Sequence, residues 1–441
     1  MAAPVTRGTV HIVGAGLAGL SCAVALLRRG ADVIVHEAAR FAGGRCRSYL
    51  EPALGTIIDN GNHLVLSGNR AALDYVEAIG AAGKLVGPEE ATFPFADLKT
   101  GERWTLRINE GRIPWWILSR ARRVPGTRVR DYLAAARLLR AGPDDTVASR
   151  IGGSGALFDR LWRPVLLAAL NTDPCEASAR LAGAVVRETL AKGGQACRPL
   201  IAGDGLAAAF VDPALALLDR HRAPVRFDHR LRALDFETER VGGLQFAEGD
   251  RIALRAQDRV VLAVPAPVAR MLVPGLEAPT EFRAIVNAHF KVKPPPGTPP
   301  ILGVVNGMTE WLFAFADRLS VTISAADRLI ETPREALARD IWREVARLTG
   351  LSGDPPPWQI IKERRATFAA LPSEEPKRPG AGTQWSNLVL AGDWTATGLP
   401  ATIEGAIRSG NRAADLVLAG WARYRADRPV RKGAEDVAQS H

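Results

Sequence analysis

Three glycines near the start of the chain have the spacing G-x-G-x-x-G, a pattern that suits a phosphate-binding turn. The first glycine permits a tight turn, the second lets the backbone approach a pyrophosphate, and the third lets a helix pack closely on a strand. Glu37 follows 23 positions after Gly14, and its carboxylate is suited to accept hydrogen bonds from ribose hydroxyls and to repel a 2′-phosphate. The pattern therefore predicts a dinucleotide site that disfavours NADP, with a turn formed by Gly14, Ala15, Gly16, Leu17, Ala18 and Gly19.

A strand, a helix and a second strand must hold these residues in place. Residues 9–13 have the character of a short buried strand, and residues 17–29 have apolar side chains at helical spacing up to Gly30, a suitable C-terminal cap. Residues 32–36 form a second strand that delivers Glu37, and the free N–H groups at the helix start are expected to hold the pyrophosphate. A glycine turn without a ligand is the alternative, but the strand, helix and acid together favour the dinucleotide.

The residues that follow Glu37 distinguish between NAD and FAD. Ala38 begins a stretch that ends in Gly43, Gly44 and Arg45, and this E-(x)5-G-G-R continuation resembles the amine oxidase and carotenoid desaturase superfamily. The resemblance implies that the paired glycines pass close to a flavin and that the arginine helps to bind the phosphates of FAD. It also implies that the buried strand at residues 258–265 makes a second contact with the adenosine end of the dinucleotide, at Val264.

A block near the C-terminus resembles the other half of the same cofactor site. Residues 387–394 are expected to form a buried strand that ends in a turn with Gly392 and Asp393, and a helix is expected from Thr402 to about Ala419. The resemblance implies that Asp393 binds the ribityl or phosphate part of FAD. It also implies that the start of the helix points at the flavin pyrimidine, where the contacts are Ala401, Thr402, Ile403 and Ala406. Thr402 as a helix cap and Glu404 as a first-turn acid are the structural alternatives.

A polar run at Asp59, Asn60, Gly61, Asn62 and His63 narrows the resemblance further. Together with residues 362–368 and 392–410 it is similar to a bacterial family of squalene-associated flavoenzymes of hopanoid biosynthesis. The resemblance implies reductive removal of the allylic hydroxyl of hydroxysqualene, giving squalene and water, with reduced FAD as the hydride donor. His63 is the candidate acid or hydrogen-bond donor with Asp59 and Asn62 beside it, and residues 60–63 are also expected to contact FAD.

Several alternatives to this interpretation stay open. The run at residues 59–63 can also be a turn that orders the backbone around the flavin, and Glu404 is a weaker candidate for the acid. Asn62 stands where many relatives have glutamine, although the amide is kept. A carotenoid desaturase or a flavin amine oxidase would use the same fold, and a prenyl-binding escort protein would keep the architecture without redox chemistry.

For the electron source and the partners, the sequence supports only general expectations. No second strand and glycine turn of the fingerprint type is visible, because Gly152–Gly155 lacks a preceding strand, so NAD(P)H is expected only as a transient donor, with a separate reductase as the alternative. The expected partners are a long isoprenoid substrate and other enzymes of squalene biosynthesis. Nucleic-acid binding is not expected, because no nucleic-acid-binding module accompanies the positive charge.

Length and composition indicate the number of domains, and the resemblance implies the fold class. With 441 residues, 47% hydrophobic and 24% charged, the chain is expected to form two domains with sizeable cores. We expect an α/β fold in which a Rossmann-like FAD-binding domain of the amine oxidase and phytoene desaturase type is interleaved with an α+β substrate-binding domain. The FAD-binding domain takes residues 1–70, 200–275 and 385–425, the substrate-binding domain takes 71–199 and 276–384, and 426–441 form a C-terminal tail.

The same composition indicates the compartment. The four scattered cysteines favour a reducing cytoplasm, and the seven histidines show no metal-ligand spacing, so no metal is expected. The fingerprint strand begins directly after MAAPVTRG, which predicts no cleavable signal peptide. No apolar run approaches the roughly 18–20 residues of a spanning helix, so the chain is not expected to cross a membrane.

Positive charge is concentrated in residues 111–140. This segment has eight arginines and one acid, a net charge of +7 of the total +10, and it contains Trp115 and Trp116 within an apolar cluster. Arginines beside interfacial tryptophans favour a peripheral contact with an anionic membrane on the cytoplasmic side. A solvated arginine-rich face is the alternative.

Overall fold

The structure, a computed structural model, describes residues 8–426 of the chain. Its strands are β1 (Thr9–Val13), β2 (Asp32–His36), β3 (Ser48–Glu51), β4 (Thr56–Asp59), β5 (Val65–Leu66), β6 (Leu85–Val86), β7 (Ala91–Asp97), β8 (Arg103–Ile108), β9 (Pro199–Ala202), β10 (Val225–Arg226), β11 (Leu231–Phe236), β12 (Val241–Phe246), β13 (Arg251–Ala253), β14 (Arg259–Leu262), β15 (Phe282–Phe290), β16 (Ile301–Val305), β17 (Trp311–Ala314), β18 (Leu319–Ile323), β19 (Trp358–Phe368) and β20 (Leu388–Leu390).

The α-helices vary from one turn to more than six turns. They are α1 (Leu17–Leu27), α2 (Arg70–Ala78), α3 (Val129–Tyr132), α4 (Val147–Ile151), α5 (Arg163–Leu170), α6 (Ala179–Glu188), α7 (Asp212–Arg220), α8 (Ala266–Leu272), α9 (Arg334–Thr349) and α10 (Ile403–Ala426).

A five-stranded parallel sheet in the order β10-β2-β1-β14-β20 carries the glycine turn. Its strands come from three separate stretches of the chain, and because they are parallel their carboxyl ends meet at one edge. α1 and α10 pack closely together, since a Cβ on Gly410 would lie 2.1 Å from the Ser21 hydroxyl oxygen. The predicted α/β fold is confirmed, and the joined strand ends bring residues from both halves of the chain together.

A seven-stranded mixed sheet forms the second large unit, in the order β19-β15-β18-β17-β16-β7-β8. One face packs on α9 through a fully apolar layer that includes Val286, Val321 and Ile341. Side chains alternate between the two faces of a strand, so Asn287 and Thr322 lie on the opposite face. Buried polar residues at these positions make this part of the face a candidate functional surface.

Some elements differ from the expectations. α10 continues beyond Ala419 to Ala426, because Trp421 is buried and its indole N–H donates to the carbonyl of Gln257 at 2.7 Å. Residues 133–140, where apolar side chains at helical spacing indicate a helix, form a 3-10 helix. Apart from Ala426, the expected C-terminal tail lies outside the described residues. Residues 1–7, on which the expectation about a signal peptide rests, also lie outside them.

None of the helices within residues 8–426 combines the length and the apolar character needed to cross a membrane.

Candidate active site

The glycine turn at the carboxyl end of β1 contains glycines of two kinds. A Cβ on Gly14 would lie 2.3 Å from the carbonyl oxygen of Ala263, and a Cβ on Gly19 would lie 1.9 Å from the carbonyl oxygen of Gly14. The protein's own packing therefore requires glycine at both positions. A Cβ on Gly16 would meet no atom within 4 Å. The space above Gly16 is open to a ligand that approaches the backbone at the start of α1.

The acid at the end of β2 faces the same turn. The Glu37 carboxylate accepts hydrogen bonds from the backbone N–H groups of Ala15, at 2.7 Å, and of Ala39, at 2.9 Å. Ala38 is exposed beside it, and Val264 follows β14 next to Gly14. The structure thus brings the predicted adenosine-side residues together at one edge of the parallel sheet.

The paired glycines join the two halves of the site. Gly43 has φ +100° and donates its N–H to the carbonyl of Ala15 at 2.8 Å. The chain then turns so that the Arg45 guanidinium donates to the Asp393 carboxylate at 2.7 Å. The neighbouring Asp393 charge raises the pKa of Arg45 above its usual value. Residues nearly 350 positions apart therefore form one ion pair at the edge where the strands end.

α10 follows Asp393 along the chain, and its Ser409 hydroxyl accepts the N–H of Gly392 at 2.8 Å. The Thr402 hydroxyl oxygen accepts the N–H of Gly405 at 3.0 Å, so Thr402 caps the helix. Ala401 precedes this cap, and Ile403 and Ala406 lie in the first turn. The turn before the helix is held by buried Arg378, whose guanidinium donates to the carbonyls of Asp393, Trp394 and Thr395.

The contacts of Glu404 are those of a structural residue. Its buried carboxylate accepts the N–H groups of Ala71 and Ala72 at the start of α2, at 3.1 and 2.8 Å, and pairs with Arg408 at 2.7 Å. These three contacts occupy both carboxylate oxygens, which favours a bridge between α10 and α2 over a role as acid.

The loop after β4 carries the polar run. Asp59 is buried, and one of its carboxylate oxygens accepts the Ser48 hydroxyl at 2.5 Å and the Leu206 N–H at 2.8 Å. Burial raises the pKa of Asp59, while these two hydrogen bonds oppose the shift. The contacts are those of a residue that orders the loop. Asn60 donates its side-chain N–H to Glu363 of β19 at 3.4 Å, and Gly61 packs against the Asn287 amide.

His63 ends this loop near Arg45. Burial lowers its pKa to about 4, and the positive charge of Arg45 acts in the same direction. The imidazole is therefore neutral at pH 7 and offers one N–H donor and one acceptor.

A directional chain of hydrogen bonds fixes the Asn62 amide. The Asn287 side-chain N–H donates to the carbonyl of Asn60 at 3.3 Å, and its oxygen accepts the Thr322 hydroxyl at 2.8 Å. The Thr322 oxygen then accepts the side-chain N–H of Asn62 at 3.1 Å. The Asn62 Oδ1 atom is buried without a hydrogen-bond partner. Because an unpaired buried acceptor is costly, this atom is poised for a donor on a ligand.

Thr322 also begins a row of side chains across the seven-stranded sheet. Cross-strand partners lie on the same face, and the register pairs Thr322 with Trp311, Trp311 with Gly303, Gly303 with Phe95, and Phe95 with Trp104. The Phe95 ring stacks on Trp104 at 5.5 Å between centroids and meets Trp311 edge-on at 5.7 Å. Gly303 gives the Phe95 ring its room. The row thus changes from polar to aromatic with distance from the loop at residues 59–63.

The sequence analysis did not name Asn287, Thr322 or the members of this aromatic row as site residues. A signal for the polar pair exists in the strands themselves. Asn287 and His289, and likewise Ser320 and Thr322, lie two positions apart in strands that are otherwise apolar except for Arg283. Within the described residues, no group of three His, Cys, Asp or Glu side chains is arranged to hold a metal ion.

Comparison with known proteins identifies the class first. The sequence profile of the family described as flavin containing amine oxidoreductase matches residues 17–418, so the chain belongs to this family and is an oxidoreductase with a flavin cofactor. Two similar relatives are named hydroxysqualene dehydroxylase, one from Rhodopseudomonas palustris and one from Sinorhizobium fredii. Each is 57% identical over 93% of this chain and 98% of its own length.

More distant proteins share the fold. Zeta-carotene desaturases match at 25% identity or less. A solved structure of a putrescine oxidase variant superposes with a TM-score of 0.69 at 16% identity, and it covers 93% of this chain and 99% of the other. The predicted resemblance to the squalene-associated branch is confirmed, and the carotenoid desaturases are the more remote group.

The residues present fit a flavin. The open space above Gly16 and the free N–H groups of α1 suit a pyrophosphate. The Arg45 guanidinium, paired with Asp393 at 2.7 Å, supplies a positive charge at the edge where the strands end.

Proposed function

We propose that this protein removes the allylic hydroxyl of hydroxysqualene to give squalene and water, with FAD as its flavin. The reaction balances as R–OH + FADH⁻ + H⁺ → R–H + H2O + FAD. The observation that carries the proposal is the similarity, over almost the full length of both chains, to enzymes named for this dehydroxylation.

The dinucleotide form of the flavin follows from Glu37. This acid stands at the end of β2, beside the glycine turn, where it suits the ribose of an adenosine. A mononucleotide flavin has no adenosine, so this part of the site would have no ligand group to bind. We therefore propose FAD, bound between the glycine turn, Arg45, Asp393 and the first turn of α10.

FAD, when reduced, supplies the hydride, and the protein orients the substrate and its hydroxyl. The aromatic row at Trp311, Phe95 and Trp104 suits the hydrocarbon chain, because isoprenoids have no polar groups to satisfy. The Asn62 oxygen accepts a hydrogen bond from the substrate hydroxyl and holds it at the polar end of the row. His63 donates a hydrogen bond to the hydroxyl oxygen as it leaves, and because its pKa is about 4, the proton that completes water comes from solvent.

The competing functions explain less of the site. A carotenoid desaturase acts on a hydrocarbon, so it has no use for a fixed acceptor at Asn62. An amine oxidase should have aromatic side chains that cage the amine beside the flavin, and Pro400 and Ala401 ahead of α10 provide none. An escort protein without redox chemistry is excluded by membership of a flavin-dependent family.

The direct test is anaerobic incubation of the flavin-reduced protein with hydroxysqualene. We expect squalene to form as the flavin is reoxidised, in equal amounts. Replacing Asn62 by Ala is expected to lower kcat/KM by roughly tenfold or more, as for loss of one hydrogen bond to a buried group. Ser320→Ala is the control, because Ser320 lies on β18 two residues before Thr322 and its hydroxyl bonds His289 rather than Asn62. Absence of squalene, or oxidation of phytoene or an amine, would contradict the proposal.

For the electron source we propose transient reduction by NAD(P)H, with a separate reductase as the second candidate. Within residues 8–426, Gly152–Gly155 follows α4 rather than a strand, so it offers no second dinucleotide turn. Anaerobic mixing of the oxidised protein with NADH or NADPH distinguishes the two, since bleaching of the flavin requires direct transfer. Other enzymes of squalene biosynthesis are the proposed suppliers of the substrate.

A further inference from the structure

Exposed apolar side chains are concentrated in one short part of the chain. Eleven large hydrophobic side chains are exposed among the described residues, and five of them lie within residues 111–140. They are Ile113, Trp115, Leu118, Leu133 and Leu139, with Trp115 62% and Leu133 66% exposed. We call this part the 111–140 surface. Such a concentration on a protein surface marks an interaction site, since single scattered residues are the usual pattern.

The arginines of the 111–140 surface have almost no acidic partners. Among the described residues, only Arg130 of the eight has a carboxylate within 4.0 Å, that of Asp131. The remaining positive charges are not neutralised by the protein itself. A partner with dense negative charge would therefore be attracted to the surface.

Buried neighbours hold the exposed side chains outward. In the 3-10 turn Trp115–Leu118 the two middle residues, Trp116 and Ile117, are buried, and the outer two are exposed. The Trp116 ring meets Tyr132 edge-on at 5.1 Å, and the Tyr132 hydroxyl accepts the N–H of Val124 at 3.0 Å. The turn and α3 are thus tied together, and the exposed position of Trp115 belongs to the fold.

We propose that the 111–140 surface docks on an anionic lipid bilayer. Indole and aliphatic side chains enter the boundary between headgroups and acyl chains, and arginines pair with anionic headgroups. Nucleic acid would pair with the arginines but would leave Leu118 and Leu133 without contacts. A second copy of this chain would be repelled by the same positive charge.

The inner side of the surface explains why a membrane is useful here. Trp116 and Tyr132 belong to the same buried cluster as Phe95, Trp104 and Trp311 of the aromatic row. The segment also adjoins β8, the strand that carries Trp104, since the Arg107 N–H donates to the carbonyl of Arg122 at 3.3 Å. Docking would therefore bring the bilayer close to the part of the protein that receives the hydrocarbon chain. This last step rests on the proposed function, whereas the docking itself does not.

The test is binding of the flavin-loaded protein to vesicles of phosphatidylglycerol and phosphatidylcholine, compared with vesicles of phosphatidylcholine alone. We expect binding only to the anionic vesicles, weakened by salt. Trp115→Ser with Leu118→Ser is expected to lower the partition coefficient at least tenfold. Arg120→Gln with Arg122→Gln is expected to lower it by about fivefold per arginine. Thermal unfolding checks that these exposed substitutions leave the fold intact.

Arg270 and Met271 provide a matched control away from the segment. Both are exposed, Met271 by 79%, so Arg270→Gln with Met271→Ser changes the same kinds of side chain elsewhere. Unchanged vesicle binding of this control is expected. Equal binding to neutral vesicles, no binding to anionic ones, an equal loss in the control, or binding of duplex DNA in place of vesicles would overturn the proposal.

A failure of docking is distinguishable from a failure of the proposed function. With hydroxysqualene supplied in detergent micelles, the Trp115→Ser and Leu118→Ser variant is expected to turn over like the unmodified protein. Loss of vesicle binding with turnover kept supports docking, and vesicle binding without any dehydroxylation contradicts only the proposed function.

Discussion

At the scale of single residues, Gly16 and Gly19 occupy one turn but are glycines for different reasons. A Cβ on Gly19 would collide with the Gly14 carbonyl at 1.9 Å, whereas a Cβ on Gly16 would point into open space. The restriction at Gly19 comes from the packing of the protein, and the restriction at Gly16 comes from the proposed ligand. The two positions therefore separate folding from flavin binding.

Replacing each glycine by alanine tests this separation. We expect Gly16→Ala to leave the unfolding temperature of the flavin-free protein unchanged but to abolish bound flavin, measured by its visible absorbance. We expect Gly19→Ala to lower the free energy of unfolding by several kcal/mol, because neither α1 nor the turn can move away cheaply. Normal flavin content in Gly16→Ala would show that the pyrophosphate lies elsewhere.

At the scale of elements, α10 connects the cofactor cleft to the rest of the protein. Thr402 caps its start, and two residues later Glu404 holds the first turn of α2 through the N–H groups of Ala71 and Ala72. An acid in this position complements the positive end of both helices. The bridge therefore contributes to the stability of the contact between α10 and α2.

Glu404→Ala is accordingly expected to destabilise the protein by about 2 kcal/mol, since two N–H groups and Arg408 lose their partner. Urea unfolding measures the change, and turnover per folded molecule should stay within about twofold. Glu335→Ala is the matched control, because Glu335 is a first-turn acid of α9 that is exposed. A large fall in turnover with unchanged stability would instead make Glu404 the acid.

At the scale of the whole molecule, four histidines are neutral inside the fold. Burial, as the largest cause, lowers the pKa of His11 and His63 to about 4 and that of His36 and His289 to about 3. Below pH 6.5 the unfolded chain binds protons that the folded chain does not. Stability therefore falls as the pH drops from 6.5 towards 4. Burial raises the pKa of Glu310 from 4.5 to about 7. Between these pH values the folded chain binds one proton that the unfolded chain does not, and this opposes the effect of the histidines.

The free energy of unfolding is thus expected to decrease between pH 6.5 and 5. Each neutral histidine contributes up to about 1.4 kcal/mol per pH unit. His289→Asn keeps a donor or acceptor near the Ser320 hydroxyl and removes one of these groups, so its pH dependence should be shallower by that amount. Urea unfolding at several pH values measures the slope. An identical slope in the variant would mean that His289 is protonated in the folded protein.

The amino-acid sequence by itself determined the class of cofactor and the parallel fold around it. Residues 9–37 form one continuous strand, turn, helix and strand, and their side chains need only near neighbours to be interpreted. The block at residues 392–406 follows the same logic at the other end of the chain. Hydrogen bonds and packing inside such short units are set by adjacent residues, which is why the spacing of a few glycines and acids was sufficient.

Only the tertiary structure decided which residues meet across long distances. The row from Asn287 and Thr322 to Trp104 includes the pair Gly303 and Phe95, which are more than 200 positions apart. Nothing within either strand indicates which partner strand it pairs with. The same holds for Trp115 and Trp116, which look alike in the sequence but are exposed and buried. Strand register and burial result from the packing of the whole chain, so local patterns cannot determine them.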